Sequence, residues 1–336
     1  MLGMSLLRSH LGHATALICL ALATACASDP ALTGQGPDDS QTLVPAPLSP
    51  ASSTTTPVAT PTPHPAMLTT APDGYAELRE SIEDVLAEQN GRWAVAVQDL
   101  STGQTLLIDA DARYPAASQY KLLLLYQAYR QIEAGALALD QTTTMLQSDY
   151  ADSLMWDEEV GVGDRVSVRG LLRVLVIQSS NAAAHALGRL MGVPSLDASV
   201  ADAARRIGLS HTGIGVSDYS GRNGGQRQTI VTSARDLLQF HAMLYRGELV
   251  SKEASRAMLD LLAEQQINDR IPALLPRGVK VAHKTGNLPG VVSDGGIIFG
   301  PRGDVVLVVL SDGADYEPGT EAIGRIARLV YDWHSR

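Results

Sequence analysis

Cysteine and recognisable metal-binding patterns are scarce in this chain of 336 residues. Cys19 and Cys26 are its two cysteines, and Cys19 lies within an apolar N-terminal stretch. If export removes that stretch, Cys26 remains alone, no internal disulfide can form, and packing must stabilise the protein. The eight histidines are scattered, and no His-Glu-x-x-His motif occurs. We therefore predict neither a metal site nor another cofactor.

Positive charge is also sparse. The formal net charge is −10 at pH 7, and the four lysines are Lys121, Lys252, Lys280 and Lys284. An acidic chain without a cluster of basic residues disfavours nucleic acid as a partner. Apolar residues make up 45% of the chain, which is ordinary for a globular protein and enough to build a core.

The first 26 residues are typical of an export signal. Arg8 supplies a positive charge, residues 14–25 are mostly apolar, and small residues precede Cys26. The apolar stretch is too short to span a bilayer comfortably. The run Leu22-Ala23-Thr24-Ala25-Cys26 resembles the lipobox of bacterial lipoproteins, which implies a lipid on Cys26. We expect a lipid anchor on the outer face of the bacterial membrane, with a periplasmic or extracellular protein as the alternative.

Residues 27–72 are predicted to form a spacer between this anchor and the catalytic body. They contain ten of the seventeen prolines, with serine and threonine between them. Such a composition buries little apolar surface and favours an extended segment. The catalytic domain is therefore expected to occupy residues 73–336.

The periodicity of apolar residues in this domain predicts an α+β fold with two lobes. A helix at 75–86 and a hairpin of 93–100 and 104–109 come first, and three strands and a closing helix come last. The late strands are predicted at 279–284, 291–299 and 304–311. Elements at both ends imply one antiparallel sheet flanked by the terminal helices. Residues 73–117 and 270–336 would form this lobe, and 118–269 an inserted all-α lobe.

Ser118 and Lys121 are the candidate nucleophile and base. They lie three residues apart at the start of a predicted helix, 118–133, so their side chains share one face. The start of a helix also directs free backbone N–H groups outward, where they can stabilise an oxyanion. A lysine can accept a serine proton when burial or a neighbouring cation lowers its pKa.

Two further motifs are candidates for proton transfer and substrate binding. Ser179-Ser180-Asn181 interrupts a predicted helical pair, 168–178 and 181–191, and its first and third residues can point into a cleft. A helix cap is the alternative interpretation. Lys284-Thr285-Gly286 ends a predicted strand, where Gly286 would let a substrate approach the backbone closely.

The order Ser-x-x-Lys, Ser-x-Asn and Lys-Thr-Gly resembles that of class A β-lactamases and related penicillin-binding serine hydrolases. The resemblance extends over the whole catalytic domain. It implies that Ser118 attacks the carbonyl of a β-lactam and that Lys121 takes the serine proton. Ser179 would then pass a proton to the leaving nitrogen.

The same resemblance implies how the substrate is held. Asn181 would bind the amide side chain of the substrate, and Lys284 and Thr285 would bind its carboxylate. The backbone N–H groups of Ser118 and Asn287 would form the oxyanion hole.

The sequence departs from the class A pattern in three places. Class A enzymes carry a glutamate in a Glu-x-x-Leu-Asn loop that activates the deacylating water, but no glutamate occurs between Glu159 and Glu248. Asp218 is the carboxylate of the corresponding loop and a candidate base, with a turn-forming aspartate as the alternative. Ser180 replaces an aspartate, and residues 289–296 lack the arginine that often helps to bind the carboxylate.

Three functions share the acylation of Ser118. Hydrolysis of β-lactams is favoured by the spacing of the motifs. A peptidase acting on the D-Ala-D-Ala ends of peptidoglycan peptides is favoured by the missing glutamate and the expected anchor. A sensor that remains acylated is the third, and an esterase acting on another small substrate is a further alternative. We expect the protein to act as a monomer.

Overall fold

The computed structural model of this chain describes residues 69–70, 75–151, 160–217 and 227–336. The predicted export signal, most of the predicted spacer, Cys26 and Asp218 lie outside these residues. Within the described part of the chain, no helix combines the length and the apolar character needed to cross a bilayer.

The helices and strands occupy the following ranges. The strands are β1 Thr69–Thr70, β2 Arg92–Asp99, β3 Gln104–Ile108, β4 Tyr114–Pro115, β5 Thr142–Thr144, β6 Arg165–Ser167, β7 Gly213–Ser217, β8 Arg227–Thr232, β9 Val281–Leu288, β10 Val291–Gly300 and β11 Gly303–Asp312. The α-helices are α1 Ala76–Ala87, α2 Lys121–Glu133, α3 Val168–Ile177, α4 Asn181–Leu190, α5 Leu196–Arg206, α6 Ala234–Arg246, α7 Lys252–Leu262 and α8 Tyr316–His334.

A six-stranded sheet joins the two ends of the catalytic domain. Its strand order is β1-β3-β2-β11-β10-β9, so the early hairpin pairs with the last strand through β2 and β11. All neighbours are antiparallel except β1, which pairs with β3 in parallel. The predicted antiparallel sheet from both termini is confirmed. The short strand β1 lies within the stretch predicted as spacer.

Strand β11 shows why the sheet strands alternate so weakly between apolar and polar residues. Val305, Leu307 and Val309 pack into a core shared with α1 and α8. Val306 and Val308 pack on the opposite face, into a core shared with α2 and α6. Because both faces are covered, positions 305–310 of the strand are all apolar.

The inserted lobe is mainly helical, but the expectation of an all-α lobe needs a correction. A small sheet of order β4-β8-β7 and a two-stranded sheet of β5 and β6 accompany its helices. These strands are short and rich in glycine and threonine, so their sequences do not differ clearly from those of loops. Strands β7 and β8 pair antiparallel, which places Ser217 opposite Arg227.

Candidate active site

Ser118 lies in a 3-10 helix, Ala117–Tyr120, that leads directly into α2. The sequence predicted that the α-helix itself begins at Ser118, whereas it begins at Lys121. Ala117 has a φ angle of 43°, which is a left-handed conformation that non-glycine residues rarely adopt. Such a conformation costs on the order of 1–3 kcal/mol and persists only where the surrounding packing imposes it.

Gly286 allows strand β9 to approach this strained turn. A Cβ atom placed on Gly286 would lie 3.2 Å from the Ala117 Cβ, 3.3 Å from the Ala116 carbonyl oxygen and 2.5 Å from the Ser293 Oγ. A larger residue would therefore separate the strand from the nucleophile turn. The sequence interpretation explained this glycine by the approach of a substrate to the backbone. The structure shows that it also allows strand β9 to pack against the turn that carries Ser118.

Lys121 is buried at the centre of the candidate site. Its Nζ lies 3.3 Å from the Ser118 Oγ, 3.3 Å from the Ser179 Oγ and 2.6 Å from the Asn181 Oδ1, and it also donates to the Ser179 carbonyl oxygen. The carbonyl and amide oxygens can only accept, so they use two N–H groups of the amine. The remaining position of the nitrogen faces the serine hydroxyls, where a neutral amine can accept a proton.

The three residues of the middle motif, Ser179-Ser180-Asn181, make different contacts. Ser180 caps α4, because its Oγ accepts a hydrogen bond of 3.0 Å from the Ala183 N–H. The helix-cap interpretation is therefore correct for Ser180, while the side chains of Ser179 and Asn181 contact Lys121. Ser179 itself has a φ angle of 63°, so the backbone is strained here as well.

Lys284 completes a chain of polar contacts through Ser179. Its Nζ donates to the Ser179 Oγ at 2.9 Å and to the Thr285 carbonyl oxygen at 2.9 Å. Burial lowers the pKa of Lys284 well below its ordinary value of 10.5, and the charge of Lys121 lowers it further. A substrate carboxylate beside this amine would favour the charged form again. The Ser179 hydroxyl thus lies between two amines that can exchange protons with it.

Arg270 is a candidate functional residue that the sequence interpretation missed. Its side chain is fully buried, and its Nη2 donates to the Asn287 Oδ1 at 2.5 Å. Its Nη1 lies 3.5 Å from the Asp269 Oδ1, and its Nε has no hydrogen-bond partner among the described residues. The sequence interpretation noted only that residues 289–296 lack such an arginine, whereas Arg270 comes from the loop between α7 and β9. No local motif distinguishes it from a surface arginine.

The structure brings together most of the residues that the motifs predicted. Ser118, Lys121, Ser179, Asn181 and Lys284 form one cluster of polar contacts. Strand β9 continues through the Lys-Thr-Gly motif and carries Thr285 and Asn287, the latter exposed at the surface. Their catalytic and binding roles remain predictions. Within the described residues, no group of three or more acidic, histidine or cysteine side chains could hold a metal ion.

Comparisons with known proteins agree with this arrangement. The profile of a family described as the Beta-lactamase enzyme family matches residues 77–334. The extended-spectrum beta-lactamase PER-1 of Pseudomonas aeruginosa is 28% identical over 278 residues, which cover 76% of this chain and 87% of PER-1.

Solved structures share the same fold. A beta-lactamase from Sphaerobacter thermophilus superposes with a TM-score of 0.67 at 25% identity, covering 77% of this chain and 97% of that one. PBP-A superposes with a TM-score of 0.67 at 24% identity, covering 76% of this chain and 95% of its own. Since the family profile spans most of the chain, including all three motifs, the chain belongs to the beta-lactamase enzyme family.

Proposed function

We propose that this enzyme hydrolyses β-lactams through an acyl-enzyme formed on Ser118. One observation carries the proposal. The hydroxyls of Ser118 and Ser179 both lie 3.3 Å from the buried amine of Lys121, in a chain that belongs to the beta-lactamase enzyme family.

Acylation would follow from these contacts. The Ser118 Oγ attacks the lactam carbonyl carbon while its proton moves to the Lys121 Nζ. The ring C–N bond then breaks, and Ser179 donates its hydroxyl proton to the leaving nitrogen. Lys121 returns a proton to the Ser179 Oγ, so both residues regain their starting states. The N–H groups of Ser118 and Asn287 are the proposed donors to the oxyanion.

The carboxylate of the substrate would bind at strand β9. Lys284 and the side chain of Thr285 are the proposed direct partners. Arg270 adds a second buried positive charge behind Asn287, and a buried charge is screened less than a surface charge. Arg270 therefore takes the place of the arginine that the sequence lacks in 289–296.

Deacylation requires a water molecule that attacks the Ser118 ester. Asp218 directly follows β7 in the sequence and remains the candidate base, although it lies outside the described residues. The rate of this step separates a β-lactamase from a sensor that stays acylated. It also separates a β-lactamase from a peptidase that is inhibited by β-lactams.

The test is turnover of nitrocefin by the purified chain without its export signal, with the lifetime of the Ser118 adduct followed by mass spectrometry. We expect steady turnover, and no adduct or turnover in Ser118→Ala. Ser255→Ala is a matched control, because this buried serine hydrogen-bonds Leu249 in another part of the fold. A persistent adduct without turnover would contradict β-lactam hydrolysis, and cleavage of D-Ala-D-Ala peptides would then identify a peptidase.

We also propose that the enzyme is exported and anchored through a lipid on Cys26. The lipobox-like run before Cys26 and the proline-rich composition of residues 27–72 support this arrangement. The spacer would hold the catalytic domain away from the membrane surface.

A further inference from the structure

His283 and Asp294 form a buried pair that the proposed mechanism does not use. The His283 Nδ1 lies 2.9 Å from the Asp294 Oδ1 and 3.0 Å from its Oδ2, across the neighbouring strands β9 and β10. The side chains are 1% and 0% exposed. A buried ionisable pair is weak evidence for stabilisation alone, because desolvation offsets much of the attraction. Electrostatic attraction alone therefore does not explain this pair, which also makes hydrogen bonds to the loop between α7 and β9.

Both members of the pair also bind the loop that carries Arg270. We define the Arg270 segment as residues 265–271. The Asp294 Oδ2 accepts a hydrogen bond of 3.2 Å from the Ile271 N–H. The His283 Nε2 lies 3.1 Å from the Asn268 Oδ1. The two contacts are on either side of Arg270 in the sequence, so the pair fixes the backbone from which this side chain extends.

A third contact ties the Arg270 segment to the helix that precedes Ser179. The Gln265 Nε2 donates to the Val176 carbonyl oxygen at 2.9 Å, and its Oε1 accepts from the N–H groups of Gln266 and Ile267. Val176 lies in the last turn of α3, just before the middle motif. The segment is thus held at its start by α3 and at its end by the buried pair.

We propose that the His283–Asp294 pair is a positioning device for Arg270 and, through it, for recognition of the substrate carboxylate. This inference rests on the proposed function. Burial opposes ionisation of Asp294, but the charges of His283 and Arg270 and the Ile271 N–H outweigh it, so the pKa of Asp294 lies below 3.8. At neutral pH the carboxylate is therefore an anion that holds the segment with its full hydrogen-bonding strength.

The test compares penicillin G, which carries the ring carboxylate, with its methyl ester, which does not. The measured quantity is the ratio of kcat/KM for the acid to kcat/KM for the ester. We expect Asp294→Asn and Asn268→Ala to lower this ratio by about tenfold or more, or about 1.4 kcal/mol. The change should come mainly from a higher KM for the acid, while the ester is little affected. Arg270→Ala should lower the ratio at least as far.

Two features separate positioning from simpler explanations. Removing the Asp294 charge would by itself strengthen binding of a carboxylate, so a lower ratio in Asp294→Asn points to displacement of Arg270. Asn268 is exposed, so Asn268→Ala should fold even if the buried substitution does not. Asp312→Asn is the matched control, because it neutralises another buried aspartate of the sheet, which pairs with Arg92 at 2.7 Å. Its ratio should remain that of the unmodified enzyme.

An unchanged ratio in both Asp294→Asn and Asn268→Ala would overturn the proposal. If the unmodified enzyme hydrolyses neither compound, the proposed function fails, and a crystal structure of Asn268→Ala decides the positioning role separately. A guanidinium displaced from Asn287 would support that role, and an unmoved guanidinium would overturn it.

Discussion

His241 shows how the surroundings of one residue set its chemistry. It lies on α6 with its ring fully buried, and neither ring nitrogen has a hydrogen-bond partner among the described residues. Its Nε2 and the Nε2 of Gln119 both lie 3.6 Å from a Cβ placed on Gly295, so both side chains border the same position on β10. Burial lowers the pKa of His241 to about 4, against a rise caused by Asp294.

We predict that His241 makes the enzyme sensitive to acid. Its folded-state pKa of about 4 lies below the ordinary value of 6.5, so the unfolded chain binds more protons between these values. Stability is then lost as the pH falls from 6.5 to 4, by about 3 kcal/mol for a shift of this size. Urea unfolding at pH 7, 5.5 and 4 should show a smaller loss in His241→Leu. Equal acid sensitivity in the two proteins would contradict this account.

Some residues of the candidate site can be predicted from the sequence, and one cannot. Ser118, Lys121, Ser179 and Lys284 could be predicted, because short motifs impose their spacing and their order. The proposed role of Arg270 could not be predicted, because it depends on burial beside Asn287, and that burial follows from the path of a loop. The number of residues between Arg270 and the three motifs does not indicate that this side chain is buried beside Asn287.

Strand β9 extends further than its sequence suggests. The prediction placed this strand at 279–284, with the Lys-Thr-Gly motif at its end. The strand continues to Leu288, and Ser293 on β10 pairs with Gly286 inside the ladder. The glycine permits a close contact there rather than a turn. Local propensity could not distinguish these roles, because the contact is made by a segment about 170 residues earlier.

Gly286→Ala tests the contact between β9 and the nucleophile turn. The added methyl group would meet Ala116, Ala117 and Ser293, so we expect a stability loss of roughly 1–3 kcal/mol. The shift of Ser118 should lower kcat/KM for nitrocefin by about 100-fold. Both quantities can be measured on one preparation by thermal unfolding and steady-state kinetics.

Gly213→Ala is the control for this substitution. Gly213 also lies in a strand, but no atom lies within 4 Å of a Cβ placed there. We expect little change in activity or stability. Similar losses in both variants would mean that the contact with the nucleophile turn is not the cause.

For the whole molecule, the proposed lipid anchor predicts where the enzyme is found. Cys26→Ser removes the thiol that a lipid would modify but leaves the catalytic domain unchanged. Expression in bacteria with radiolabelled palmitate should label the unmodified protein and place it in the membrane fraction. The variant should be unlabelled and released into the soluble exported fraction. Equal labelling of both proteins would exclude Cys26 as the site.

The pairing of β2 with β11 has a consequence for the timing of folding. Arg92 and Asp312, which form an ion pair at the end of these strands, are 220 residues apart in the chain. Contacts over such a distance slow folding, since a long loop must close before they form. The strand that carries Lys284 joins the sheet only through β10 and β11. A chain whose Ser118 and Lys121 have already been exported is therefore still inactive, and we expect activity only after the C-terminal strands have also been exported and have paired.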